Sequence, residues 1–342
     1  MGTQATFWQI LPETPLVAYD SPLATHDFTM TTTQLEYVVA VDTHRHFSLA
    51  AEHCFVTQPT LSMQIQKLED ELGVRLFDRS RQPVTPTPVG EAVIAQARNV
   101  LREAQRIREI VQHQREEVAG ELRLGIIPTL APYLLPLFLQ PLLRKHPELR
   151  LKISEHTTET IVEKLKNNQI DAGLLVTPLN DNHLHEHVLF YEELVVYLAQ
   201  ANSLAQKNYV LAADIDVSRL WLLEEGHCMR SQIMNLCELR ARSPRTLNCE
   251  YEAGSIETLR KMVELNDGIT ILPELSLHDL PEDKMSLVRY FAEPAPVREV
   301  SLVTHRNYVK RRLVETMKDE ILSAIPLKMR NRSQRQVVPI DV

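Results

Sequence analysis

Little in this chain of 342 residues points to a membrane, an oxidising compartment or a basic coat. It has only four cysteines, too few for a disulfide framework, so a reducing cytoplasm is expected and any disulfide would be transient. The longest apolar stretch, Leu130 to Leu143, is interrupted by Pro132, Pro136 and Pro141 and falls short of a bilayer span. No charged start followed by an apolar run is present, so no secretion signal is expected. Positive charge is also short. The formal net charge is −8, and between Arg45 and Arg81 the basic Arg45, Lys67, Arg75, Arg79 and Arg81 are matched by Glu52, Glu69, Asp70, Glu71 and Asp78. Net charge lends nucleic-acid binding no support, so that case rests on where the charges sit. What remains, 44% hydrophobic and 24% charged, is the composition of a globular chain long enough for two or more domains.

Residues 1–29, with Trp8, Pro12, Pro15 and Pro22, carry little periodic pattern and are expected to be a disordered arm or a foreign leader, Met30 being an alternative start. Residues 30–87 read as helix, short helix, turn, longer helix and wing. Leu35, Val38, Val39 and Val41 form the first apolar set, and Ser48 is placed to cap a short helix running through Cys54. Thr57 and Pro59 suit a helix start. Leu61, Ile65, Leu68 and Leu72 then recur at one buried stripe, and Gly73 stops the helix. Val74 to Pro86 has the size of a β-wing, which completes a winged helix-turn-helix.

Residues 88–119 read as one long helix opened by Pro88 and stopped by Gly120. Val93, Ala97, Val100, Ala104, Ile107 and Val111 alternate spacings of four and three, the seam of a coiled-coil-like pairing between two copies. From 120 to 325 strands and helices alternate. The strands are expected at Leu122–Ile127, Leu149–Ile153, Asp171–Val176, Leu194–Leu198, Leu220–Leu223, Leu247–Tyr251, Gly268–Leu272 and Val300–Thr304. Helices fit at Thr160–Asn167, Ser255–Leu265 and Lys310–Ile325. That rhythm implies α/β architecture with parallel sheets, in two lobes around a cleft. Residues 326–342 read as a basic polar tail.

The segment Phe55-Val-Thr-Gln-Pro-Thr-Leu-Ser-Met-Gln-Ile-Gln-Lys-Leu-Glu-Asp-Glu-Leu-Gly-Val-Arg-Leu-Phe-Asp-Arg79 resembles the recognition helix and wing of LysR-type transcriptional regulators. With the linker helix, the resemblance covers about residues 30–325. It implies a periplasmic-binding-protein-like two-lobed α/β sensor domain behind the DNA-binding domain. The third helix would then enter the major groove of double-stranded operator DNA. Burial of its apolar stripe leaves Gln58, Pro59, Thr60, Ser62 and Met63 facing bases, while the resemblance puts Lys67 and Arg79 on phosphates. A homodimer or tetramer follows from the same resemblance, as does contact with RNA polymerase.

Within that family, Gly226-His-Cys-Met-Arg-Ser-Gln-Ile-Met-Asn-Leu-Cys237 is similar to the members that sense hydrogen peroxide, as are Ile127-Pro-Thr129, Pro132-Tyr-Leu-Leu-Pro136 and Ser255-Ile-Glu-Thr-Leu-Arg260. A thiol at a helix start near His227 and Arg230 should favour its thiolate. The resemblance implies that Cys228 is oxidised and then joined to Cys237. It also implies that Thr129, Thr158, His227 and Arg230 or Arg306 surround the peroxide. Two rival readings keep the cysteines incidental or catalytic: a regulator binding a small metabolite in the cleft, and a thiol peroxidase, which the helix-turn-helix argues against. No cofactor, metal or enzymatic turnover is expected. Cys54 and Cys249 are expected to be inert, although Cys249 stays open as a competing resolving thiol. His183, His185 and His187 share one face if extended. They read as a solvated strand edge, with a metal site as the alternative.

The spacing of the two cysteines carries a geometric expectation. Met229–Leu236 favours helix, and nine positions on a continuous helix mean a rise of about 13.5 Å and a rotation of about 180°. A disulfide needs Cα atoms about 4.4–6.8 Å apart. Oxidation therefore requires this helix to unravel.

Overall fold

A computed structural model describes residues 30–112, 118–237, 254–265, 268–330 and 335–340. The chain divides at Ala97/Arg98 into two compact units.

The first unit is built from α1 (Thr32–His44), α2 (Phe47–His53), α3 (Gln58–Leu72), a wing of β1 (Phe77–Asp78) and β2 (Thr85–Pro86), and the start of α4 (Pro88–Gln112). Thr31 and Gln34 open α1 as a reciprocal cap, each accepting a backbone N–H of the other, at 3.2 and 2.9 Å. The cap of α2 differs from expectation. His46, not Ser48, stands at its start, and the imidazole Nδ1 accepts the Ser48 N–H at 3.2 Å. Thr57 caps α3 and Gly73 ends it at φ 68°. Leu61, Ile65 and Leu68 are fully buried, as their spacing requires, and Leu72 is half-buried, with α3 packed on α1 and α2. The wing strands pair antiparallel. The buried Glu69 carboxylate ties α3 to the wing by accepting the N–H groups of Leu76 and Phe77 at 2.8 and 3.3 Å.

In the second unit the sheet order is β4-β3-β5-β10-β6-β9-β7, using β3 (Gly120–Ile126), β4 (Leu149–Glu155), β5 (Ala172–Thr177), β6 (Leu184–Leu198), β7 (Tyr209–Val210), β9 (Val288–Phe291) and β10 (Ala295–His305). β8 (Ile269–Pro273) also pairs with β6. The 15-residue β6 serves both lobes: its first part pairs with β10, and Leu194–Leu198 pairs with β8. Helices α5 (Ala131–Lys145), α6 (Thr158–Lys166), α7 (Cys228–Leu236), α8 (Ile256–Leu265), α9 (Glu282–Met285) and α10 (Arg311–Ala324) complete the unit.

Three expectations change. The sheet is mixed, not parallel throughout, because β10 runs antiparallel to both β5 and β6. Leu220–Leu223 forms no continuous strand among the described residues: Leu220 bridges to Ile269, and Leu223 is a second single bridge residue. The expected polar tail contains β11 (Arg335–Val337), which pairs parallel with β10, and Val338 behind it is buried. The Leu247–Tyr251 segment, with Cys249, lies outside the described residues.

Candidate functional site

Gly226 adopts φ +92°, a left-handed backbone that suits glycine, and turns the chain so that His227 stands at the N-cap of α7 with Cys228 as its first residue. Across from it Thr157 caps α6, and a Cβ added to Gly226 would lie 3.6 Å from the Thr157 methyl. The starts of two helices thus meet at the thiol. An open pocket of about 290 Å³ lies against it, lined by Thr158, Glu159, His227, Cys228, Arg230 and Met234 among others.

The Cys228 side chain is only 7% exposed. The Thr158 hydroxyl beside it is buried, lacks a well-formed hydrogen-bond partner, and lies close enough to favour the thiolate. Burial nevertheless pushes the Cys228 thiol above its ordinary range, outweighing Arg298, Thr158 and the Met229 N–H, which all pull it down. The expected thiolate is therefore corrected. At this depth the desolvation of a charged sulfur wins, and the resting group is a thiol.

The buried cation is Arg298, on β10, which sequence reasoning missed. Its side chain is fully buried and donates from Nε to Glu192 Oε2 at 2.7 Å, from Nη1 to the Thr129 hydroxyl at 3.1 Å and from Nη2 to the Thr129 carbonyl at 3.1 Å. Glu192 in turn accepts the Leu275 N–H at 2.7 Å. One signal was available: Ala295, Val297, Val300, Leu302 and Val303 mark a strand to be buried, and an arginine within it needs a buried partner. Arg306 is not at the site. It is exposed beyond the opposite end of β10, eight residues and about 26 Å along the strand from Arg298. Arg230 lines the pocket and anchors its loop by donating to the Leu223 carbonyl at 2.8 Å. The His227 imidazole lies 3.5 Å from the Glu224 carboxylate.

Cys237 caps the other end of α7, its N–H bonded to the Ile233 carbonyl at 3.0 Å. The helix between the cysteines is continuous, so its rise separates them by about 13.5 Å. Burial pushes the Cys237 thiol up to about 11. Both cysteines are free, as is Cys54, whose thiol is also raised, chiefly by burial.

On α3, Gln58, Pro59, Thr60, Met63 and Lys67 are exposed and Ser62 is half-buried. Arg79 is committed elsewhere: it pairs with Glu69 at 2.9 Å, donates to the Ser62 hydroxyl at 3.2 Å and lies 4.9 Å over the Phe47 ring. It braces Glu69, because a buried carboxylate needs a cation, while its side chain stays 34% exposed. Along α4, Ala97 is buried, Val93, Val100 and Ala104 are half-buried and Ile107 is 66% exposed. The Val111 side chain lies outside the described residues. His185 and His187 meet edge to face with ring centroids 4.3 Å apart, while His183 precedes β6. Among the described residues no three His, Cys, Asp or Glu side chains are arranged to hold a metal, and no helix is long and apolar enough to cross a membrane.

Comparison with known proteins agrees with this layout. Residues 32–91 match the bacterial regulatory helix-turn-helix model of the LysR family, and residues 115–326 match the LysR substrate binding domain. A hydrogen peroxide-inducible genes activator of Dickeya chrysanthemi is 36% identical over 302 residues, 87% of this chain and 97% of the relative. The dual regulator OxyR of Escherichia coli K12 is 39% identical over 271 residues, 79% of this chain and 87% of the relative. A full-length OxyR variant from Pseudomonas aeruginosa superposes with a TM-score of 0.74 at 34% identity, covering 86% of this chain and 99% of that one. The chain belongs to the LysR family of helix-turn-helix transcriptional regulators, in its OxyR group.

Proposed function

We propose that this regulator acts in the cytoplasm, senses hydrogen peroxide through Cys228 and Cys237, and converts the resulting disulfide into altered binding of operator DNA. The observation that carries this reading is a buried thiol at a helix start beside an open pocket, flanked by the under-bonded Thr158 hydroxyl and the fixed Arg298 charge. Peroxide supplies the partner that the Thr158 hydroxyl lacks. Thr158 donates to one oxygen. Thr129, whose hydroxyl accepts from Arg298, keeps its own proton to donate. The sulfur attacks the near oxygen, the O–O bond breaks, and the thiol proton ends on the departing oxygen as water. His227, which lines the pocket with Glu159 and Glu225, is placed to relay that proton. Cys228 becomes a sulfenic acid. The Cys237 thiol then attacks its sulfur, releasing a second water and forming the disulfide.

Because α7 separates the sulfurs, the second step needs the helix to unwind, which frees the buried Met229 and Ile233. The disulfide then locks a second backbone arrangement that reaches the DNA-binding unit through the paired linker helices, with Val93, Val100, Ala104, Ile107 and Val111 as their seam, Ala97 being already buried within its own chain. Gln58, Pro59, Thr60, Ser62 and Met63 read bases, and Lys67 contacts phosphate. Counting free thiols before and after stoichiometric peroxide tests the reading: two thiols are lost in the intact chain. Cys237→Ser stops at the sulfenic acid, and a Cys228→Ser chain that still responds to peroxide overturns the assignment.

A further inference from the structure

The C-terminal segment, beyond residue 326 where the family match ends, lies against the redox helix. β11 pairs with Ala295–Val297, directly before Arg298, and the Val338 N–H donates to the Val297 carbonyl at 2.9 Å. From that anchored strand two successive carbonyls reach α7. Gln232 Nε2 donates to Val338 O at 2.9 Å, and Asn235 Nδ2 donates to Pro339 O at 3.2 Å. Gln232 is fully buried, Val338 is 3% exposed, and Ile340 packs on the same core.

The two donors stand three residues apart, which places them on one face of a helix and about 4.5 Å apart along its axis. Their match to consecutive carbonyls therefore exists only while α7 is helical. Bringing Cys228 to Cys237 unwinds that stretch, breaks both bonds and uncovers Val338. Any contact made only in the reduced arrangement stabilises it relative to the oxidised one.

We infer that the C-terminal segment 335–340 is a strap that holds α7 in its reduced form and sets the thiol–disulfide balance of Cys228 and Cys237, with Gln232 as the positioning residue through which it acts. The strap rests on the disulfide reading above. It touches α7 and the strand before Arg298; the fully buried Gln232, through which it acts, does not line the peroxide pocket, although Asn235 does. It therefore governs the second step, Cys228–SOH plus Cys237–SH to disulfide plus water, and leaves the first step alone.

The test equilibrates the full-length chain, a chain truncated after Gln334 and the Gln232→Leu variant with graded dithiol–disulfide buffers. Leucine is close to Gln232 in size and removes the donor to Val338 together with the buried Oε1, which has no partner among the described residues. Truncation should shift the equilibrium toward the Cys228–Cys237 disulfide by at least tenfold, about 30 mV more negative for this two-electron couple. Gln232→Leu should shift it by about threefold, the scale of one hydrogen bond. Sulfenic acid capture at Cys228 after peroxide, measured in a Cys237→Ser background, should stay within about twofold of the intact rate in both. Midpoints unchanged in both variants overturn the strap while the redox switch stands. A shift accompanied by an equal loss of the capture rate overturns it too, since the tail would then act through the peroxide pocket. An intact chain that forms no such disulfide overturns the redox reading and the strap with it. If burial of Val338 makes truncation unfold the chain, Gln232→Leu decides alone.

Discussion

Arg298 and Thr129 are joined twice, the guanidinium donating to the Thr129 hydroxyl and to its carbonyl at 3.1 Å each. A rigid fork thereby fixes both the position of a positive charge and the rotamer of a hydroxyl. The same guanidinium satisfies the fully buried Glu192, whose carboxyl burial pushes up and Arg298 pulls down. The charge near Cys228 is thus held by the core and cannot swing away when peroxide enters.

Arg298→Met should therefore unfold more than it inactivates. It strands Glu192 and costs about 3–5 kcal/mol in urea denaturation. Arg298→Lys keeps the charge but loses the fork. It should cost less stability while slowing sulfenic acid formation about tenfold, about 1.4 kcal/mol of barrier. Equal peroxide rates for the wild type and Arg298→Lys would remove the guanidinium from the chemistry.

Thr158→Val separates function from stability. The substitution deletes a buried hydroxyl that lacks a well-formed partner, so stability should hold or rise by up to about 1 kcal/mol. The peroxide rate should fall about tenfold, because the lost donor acts only when peroxide is bound. Stopped-flow oxidation and thermal melts on the same sample read both directions.

Lys67→Ala and Arg79→Ala should differ in kind. Lys67 is exposed, so its loss should lower the slope of log K against log salt by about 0.9. Arg79 braces Glu69 and Ser62, so its loss should destabilise the helix-turn-helix by about 1–3 kcal/mol without changing that slope. A salt titration of operator binding that shows the same slope change for both would return Arg79 to the phosphates.

The thiol of Cys237 gives a pH test. Burial raises it from an ordinary value of 9.0 to about 11, so the folded chain holds that proton more tightly than the unfolded one. The resulting stability is fully present below about pH 9 and is lost as pH rises toward 11. Alkylation of Cys237 in reduced native protein should show a midpoint near 11, falling to the ordinary value in denaturant. A native midpoint below 9 would contradict the burial of this thiol.

The features legible in the sequence were those written over short distances. Thr57, the Leu61–Ile65–Leu68 spacing and Gly73 specify α3 from cap to stop. Gly226-His227 before Cys228 specifies a helix that opens on a thiol, and nine positions of helix separate the cysteines whatever surrounds them. Caps and periodic stripes are local, so the chain alone determined them. Tertiary structure alone decided which arginine serves the site, because Arg298 meets Thr129 only when β10 is laid beside β5 and β6. It also decided that Cys228 rests as a thiol, that Arg79 braces the wing, and that residues 335–340 lie on α7. In each case the outcome depends on how deeply a group is buried and which distant charge or carbonyl meets it there. Those are properties of chain segments brought together by folding, and no local pattern encodes them.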